Sequence, residues 1–121
     1  MALKESDGDP FDGIRLEYVN PFTGGPTLAT FSCEVQLLRP REKTRSHRHT
    51  STAVYQVFRG QGVTVIDGQR REWDQGDIFV VPPWYSHNHE NRSEKDAILF
   101  SIHDWPVMKA LGLYREEEVK P

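Results

Sequence analysis

The stretch Val63-Thr64-Val65-Ile66-Asp67-Gly68-Gln69-Arg70-Arg71-Glu72-Trp73 decides the fold class. Two β-rich runs flank Asp67-Gly68. A two-residue type I′ turn needs positive φ at both central residues, which Asp-Gly accepts at little cost, so the segment predicts a β-hairpin. The same texture continues in both directions. Ser51 to Phe58 predicts a strand ended by Gly60-Gln61-Gly62, and Asp77 to Val81 and Ala97 to Ile102 predict two more. Upstream, Leu28 to Leu38 and the alternating Ile14-Arg15-Leu16-Glu17-Tyr18-Val19 predict strands on either side of a Pro- and Gly-marked loop, Asn20 to Pro26. Strands starting every roughly 8–12 residues with turn residues between them predict an all-β sandwich or barrel. One helix is expected near the end, with Asp104 as N-cap, Pro106 in its first turn and Gly112 just past its last residue.

The chain has 121 residues, enough for one domain. Residues 1–13 are charged and rich in Gly, Pro and Asp and read as a flexible arm, 14–104 as the β-domain and 105–121 as helix and tail. A net charge of -3 without a polybasic tail argues against nucleic acid and anionic membrane surfaces as partners. No apolar run approaches the roughly 18 residues of a membrane span. The first residues lack the apolar core of a secretory signal, so a cytoplasmic setting is expected. The single cysteine, Cys33, excludes an intrachain disulfide and a cysteine-based zinc site.

Four of the five histidines come as two H-x-H pairs, His47-Arg48-His49 and His87-Asn88-His89. In an extended strand residues i and i+2 point the same way, so each pair can direct two imidazoles at one point. Two strands of a small antiparallel β-domain can bring the pairs together. Imidazole suits Fe, Zn, Cu and Ni, and an ion held on one side by three histidines keeps open positions for other ligands.

The spacing around the pairs resembles the two cupin motifs. His47-x-His49 is followed after ten residues by Gly60. Gly76, Pro82, His87 and Asn91 stand in the order and intervals of the second motif, with Trp84 where the motif has a glycine. A longer set, Asn20 to Pro26, His47 to Thr50, Gly76 to Trp84, Ser101 to Asp104 and Ala110 to Glu117, resembles the C-terminal cupin of gentisate 1,2-dioxygenases and related hydroxybenzoate and hydroxynaphthoate ring-cleaving enzymes. The resemblance implies a small antiparallel, jelly-roll-like β-barrel with one divalent metal held by His47, His49 and His87. It implies Fe(II), with Zn, Ni, Cu or Mn also suited to three imidazoles, and ring opening of a small anionic aromatic with O2. The alternative reading is a non-catalytic or regulatory metal- or small-molecule-binding cupin. Many cupins carry a glutamate ligand at the position that is Ala53 here, which leaves the expected ion with neutral ligands only.

Further candidates surround this set. Arg45 shares strand parity with His47 and His49 and is a candidate carboxylate partner, or part of a solvated basic edge with Arg39, Arg41 and Lys43. His89 shares parity with His87 and is a candidate outer-shell or proton-donating residue. Tyr55 and Trp84 are candidates for lining a substrate cavity. His103 reads as a polar residue at the end of the β-domain, and Glu116-Glu117-Glu118 as a solvated tail. The sheet edge offered by Ile14 to Val19 predicts pairing with a neighbour and a homodimer.

Overall fold

The computed structural model describes the backbone of residues 2–9 and 13–120, with side chains from residue 14 onward. Two antiparallel sheets make up the fold. The first contains β1 (Ala2–Asp9), β2 (Gly13–Val19), β3 (Ser32–Leu38), β5 (Ala53–Arg59), β8 (Ile78–Val81) and β10 (Ala97–His103), in the order β1-β2-β3-β10-β5-β8. The second contains β4 (His47–His49), β6 (Gly62–Ile66), β7 (Gln69–Trp73), β9 (His87–Asn91) and β11 (Glu116–Glu118), in the order β11-β4-β9-β6-β7. A short helix, α1 (Trp105–Ala110), lies between β10 and β11. Among the described residues no ladder joins the two sheets, so they face one another as layers rather than closing into the expected barrel. No helix among the described residues is long and apolar enough to cross a membrane.

The hairpin forms as the sequence predicts. Asp67 has φ 49° and Gly68 φ 81°, and β6 pairs with β7 from Gly62↔Trp73 to Ile66↔Gln69. Gly60 is required by close approach as well as by its φ of 99°, since a Cβ there would come within 2.9 Å of Ala97. Three expectations shift. Residues 28–30 are bends and residue 31 is irregular, so β3 begins at Ser32. Within the stretch expected as a loose arm, Ala2–Asp9 lies along β2 as β1. β2 is thereby bonded to β1 on one side and β3 on the other, which removes the free edge on which the dimer expectation rested.

Asp104 stands at the N-cap of α1 but makes no side-chain cap. Its Oδ1 instead accepts the Thr52 N–H at 2.6 Å, tying the helix entry to the start of β5. Gly112 follows the helix at φ 72° as expected.

The register of the first sheet sorts its side chains into two unlike faces. One outward row runs Tyr18, Cys33, Ile102, Val54, Val80, and the next runs Leu16, Val35, Phe100, Gln56, Ile78. The inward row between them runs Glu17, Glu34, Ser101, Tyr55, Phe79. The inner face is apolar only toward one end, where Leu38, Tyr55, Val57, Val81 and Leu99 are buried with Trp73 of the second sheet. At the other end buried polar residues, Ser32, Glu34, Ser101 and His103, line a polar chamber between the sheets. Buried polar groups need partners, so this end is where a ligand or ion can be held.

Candidate metal centre

The two H-x-H pairs enter the second sheet side by side. β4 and β9 are antiparallel neighbours with His47 directly opposite His87. Period-two alternation then turns His47, His49 and His87 into the space between the sheets, where they are 4%, 6% and 1% exposed. Each offers one ligand atom, and these atoms all lie within 4.8 Å of one another. The ring centroids are 5.3 Å apart for His47–His49, 4.5 Å for His47–His87 and 4.9 Å for His49–His87.

The outer nitrogens are engaged in a way that fixes which atoms point inward. His87 Nδ1 lies 3.1 Å from the Tyr85 carbonyl and His49 Nδ1 3.0 Å from the Ser51 carbonyl. A carbonyl only accepts, so His87 Nδ1 carries the proton and its Nε2 keeps the lone pair, while His49 Nδ1 is shared between the Ser51 carbonyl and, at 2.9 Å, the Ser51 hydroxyl. His87 Nε2 is buried and has no hydrogen-bond partner. An orphaned lone pair in the interior is costly, and a metal ion satisfies it. Burial, reinforced by the neighbouring histidines, lowers the His49 pKa to about 4 and pushes that of His87 well below the usual imidazole value. His49 and His87 are therefore neutral and ready to ligate at physiological pH. The donor set fits a divalent transition metal.

His47 is served by an acid that sequence reading assigned to the tail. Glu116–Glu118 forms β11 and pairs with β4, with Glu116 opposite His49 and Glu118 opposite His47. Glu116 Oε1 lies 3.4 Å from His47 Nδ1, and the Tyr114 hydroxyl donates to Glu116 Oε2 at 2.7 Å. The hydrogen bond to His47 holds the Glu116 pKa low, at about 2, while burial and the bond to Glu116 raise that of Tyr114. A carboxylate behind a ligating histidine orients the ring and raises its basicity.

A cavity of about 370 Å³ opens onto the cluster. His47, His49, Ser51, Tyr55 and His103 form its floor, and Gly24, Gly25 and Pro26 of the Asn20–Pro26 loop form its lip. His87 sits behind the floor. His103, expected at the end of the β-domain, is buried in the cavity wall, where its Nε2 lies 2.8 Å from Glu34 Oε2. Arg15 Nη1 lies 3.1 Å from the other Glu34 oxygen. Burial alone would raise the Glu34 pKa, but His103 and then Arg15 outweigh it and the pKa is lowered. Glu17, Glu34 and Glu116 face Arg15 and Lys109 around the cavity, so the chamber carries more acid than base before any ion enters. Among the described residues the clustered ligands are the three imidazoles alone, and these three acids surround them from the cavity lining. Ala53, the position of the glutamate that is missing, is fully buried in the core.

The remaining candidates divide. Tyr55 lines the cavity and stacks on Phe79 at 5.0 Å. His89 is fully buried behind His87 rather than in the cavity wall, with ring centroids 5.8 Å apart. Trp73 Nε1–H donates to Thr64 Oγ1 at 2.9 Å, and Thr64 Oγ1 is 2.8 Å from His89 Nδ1. Burial lowers the His89 pKa to about 3. Arg45 lies outside. β4 begins only at His47, so strand parity does not reach back to residue 45, and Arg45 faces solvent 3.6 Å from Glu118. Trp84 also lies outside the cavity, with the Arg48 guanidinium over its ring at 4.5 Å. Its φ of 63° is left-handed, which explains why the motif has a glycine there. Trp84 N–H donates to the His49 carbonyl at 2.7 Å, so this strained turn pins the ligand strand. Asn91, the last motif residue, is a structural clasp: its Nδ2 reaches the carbonyls of Leu38, Arg39 and Lys95.

Comparison with known proteins agrees with this geometry. The chain is 56% identical over 116 residues to a 5-aminosalicylate 1,2-dioxygenase of Comamonas sp, covering 96% of this chain and 31% of that protein. It is 42% identical over 111 residues to a 1-hydroxy-2-naphthoate 1,2-dioxygenase of Nocardioides sp. (strain KP7), covering 91% and 29%. The crystal structure of a salicylate 1,2-dioxygenase from Pseudaminobacter salicylatoxidans superposes with a TM-score of 0.82 at 35% identity, covering 86% of this chain and 29% of that one. A second structure of that enzyme, with gentisate, gives a TM-score of 0.82 at 34% identity. The chain thus spans about a third of the length of these relatives. The profile described as "Cupin domain" matches residues 34–103, more than half the chain and the span from within β3 to the end of β10. With the motif histidines converging and the motif's Gly60, Trp84 and Asn91 positions each explained by the backbone they hold, the chain belongs to the cupin family.

Proposed function

We propose that the chain is the metal-binding cupin of a gentisate-type 1,2-dioxygenase, acting with O2 on a small hydroxylated aromatic acid. The observation that supports this best is the three-histidine cluster at the base of a polar cavity, in a chain whose relatives are 1,2-dioxygenases. His47, His49 and His87 would hold Fe(II) through Nε2. When bound, iron supplies Lewis acidity and one-electron access to O2, which ring cleavage needs. The protein's own contribution is placement and charge. Arg15, held by Glu34, stands at the cavity wall, where its guanidinium is placed to meet a substrate carboxylate. This role passes to Arg15 from Arg45. Tyr55 and the buried floor keep the reacting ring out of bulk water. His89, braced through Thr64 and Trp73, keeps the β9 ligand His87 in place.

The test is anaerobic reconstitution with Fe(II), followed by O2 uptake with a panel of hydroxylated benzoates. Consumption of O2 with loss of the aromatic absorbance is expected for at least one of them. A second reading is a cupin that binds a metal or small molecule without turnover. Stoichiometric iron and tight ligand binding with no O2 uptake would establish it.

Glu116 provides a sharper check of the site. Glu116→Gln removes the negative charge behind His47 and keeps the shape. Loss of such an outer-shell partner is expected to lower metal affinity about 10–100-fold. Titration against a competing chelator reads this, with circular dichroism unchanged.

A further inference from the structure

Trp105, Lys109, Tyr114 and Glu116, all from the C-terminal segment, line the wall of the metal cavity. Their placement follows from how α1 ends. Leu111, Gly112 and Leu113 donate their N–H groups to the carbonyls of Val107, Lys109 and Met108, and Gly112 turns left-handed at φ 72°. The chain therefore doubles back, and Tyr114 comes within reach of the helix's last turn. Trp105 precedes Lys109 by four residues on α1 and so shares its face. The Lys109 ammonium lies over both rings, 4.6 Å from the Trp105 centroid and 5.2 Å from that of Tyr114. The two aromatic faces hold in place a side chain that otherwise has large rotamer freedom.

A lysine in a last helical turn ordinarily serves the open carbonyls of the helix. Here backbone N–H groups take those carbonyls. The acids of the cavity are engaged as well. Glu34 holds His103 and Arg15, Glu116 holds His47 and Tyr114, and Glu17 accepts the Ser32 hydroxyl at 3.4 Å. Among the described residues no carboxylate pairs with Lys109, whose partners are the two ring faces.

We propose that Lys109, clamped by Trp105 and Tyr114, is a second anion subsite of this cavity, which takes a carboxylate on the ring edge opposite the metal-chelating groups. This rests on the aromatic-acid reading above and narrows its substrate class to single-ring hydroxybenzoates that carry a second acidic group. Tyr114 separates the two ends of the site. Its hydroxyl donates to Glu116, the acid behind His47, and its face carries Lys109. A ring held at the histidine floor therefore has Lys109 on the side of the wall. The volume, about 370 Å³, is near the lower end for small-molecule pockets and suits one substituted ring. An ammonium partly stripped of water by two rings is a strong donor to an incoming carboxylate.

Calorimetric titration into protein loaded with Zn(II) tests this, because Zn(II) suits imidazole ligands and does no oxygen chemistry. The probes are salicylate, 5-methylsalicylate, and the salicylates with a second carboxylate at ring position 4 or 5. At least one dicarboxylate is expected to bind about five- to tenfold more tightly than salicylate, the order of a charge-assisted hydrogen bond at a partly open site. The methyl compound fills the same space and is expected to show no such gain. Lys109→Met is expected to abolish the gain, so that the dicarboxylate binds no better than salicylate, with metal content and circular dichroism unchanged. Lys109→Arg is expected to keep most of it. Trp105→Leu leaves the cation but removes half the clamp, and is expected to reduce the gain. Arg15→Met is expected to weaken every probe alike and leave the gain intact. A gain that survives Lys109→Met would overturn the proposal, as would equal affinity of the unaltered protein for salicylate and both dicarboxylates. Failure of salicylate itself to bind would overturn the aromatic-acid reading and this subsite with it.

Discussion

Replacing His47, His49 or His87 with alanine is expected to abolish stoichiometric binding of a divalent metal, while His103→Ala retains it. Among the described residues, three imidazoles whose ligand atoms lie within 4.8 Å of one another form the clustered donor set, and no carboxylate belongs to it. Glu116 faces the outer side of His47 and is held by Tyr114, and Ala53 contributes no donor. Loss of one histidine should therefore cost more than the roughly 10–100-fold that loss of an outer-shell partner costs. His103 is the informative control because it is as buried as the ligands and lines the same cavity. Its nitrogen is committed to Glu34 rather than to the cluster. Metal analysis of protein purified without a polyhistidine tag reads the result. Full occupancy in all three ligand variants would remove the site, and loss in His103→Ala would move its centre toward Glu34.

A hydroxybenzoate is expected to bind the metal-loaded protein at least tenfold more tightly than its methyl ester, and the preference is expected to vanish in the metal-free protein. Glu17, Glu34 and Glu116 outnumber Arg15 and Lys109 around the cavity. The chamber is therefore net negative until a divalent ion arrives and makes it net positive. A unit charge about 4 Å away at an effective dielectric near 20 is worth about 4 kcal/mol before desolvation. Desolvation of the carboxylate takes back much of that, and tenfold corresponds to about 1.4 kcal/mol. Calorimetric titration of salicylate and methyl salicylate into metal-free and metal-loaded protein makes the measurement. Arg15→Met should weaken acid binding and leave ester binding alone, and Arg45→Met should change neither. Equal affinity of acid and ester for the loaded protein would remove chelation of an anion from the mechanism.

What the sequence made legible was local or periodic. Asp67-Gly68 carried its own turn, and the period of two in His47-x-His49 and His87-x-His89 put the imidazoles on one side of each strand. The family pattern then separated the three converging histidines from His89. Long-range pairings were not legible. Arg48 meets Glu117 sixty-nine positions away, and Arg41 meets Glu94 fifty-three away. The basic run therefore reads as a solvated edge, and the acidic run as a solvated tail. The same blindness hid Glu116 behind His47, and Glu34 and Arg15 in the cavity wall. Those two belong to strands whose alternation reads as apolar on one face and charged on the other. Nothing local says that the charged side is the one turned inward. Arg45 failed for a smaller reason: parity holds only inside a strand, and β4 starts two residues later.

The bond from Trp84 to the His49 carbonyl has an optical consequence. The chain holds three tryptophans. Trp73 is 4% exposed and hydrogen-bonded to Thr64, so it should emit at the short-wavelength end of the indole range and change little. Trp84 is 37% exposed, stacked under Arg48 and bonded to the strand that carries His47 and His49. Its emission should lie further to the red, and its intensity should follow the orientation of Arg48 and the loading of the two neighbouring imidazoles. The protein thus carries its own fluorescent reporter bonded to the ligand strand, readable without a label.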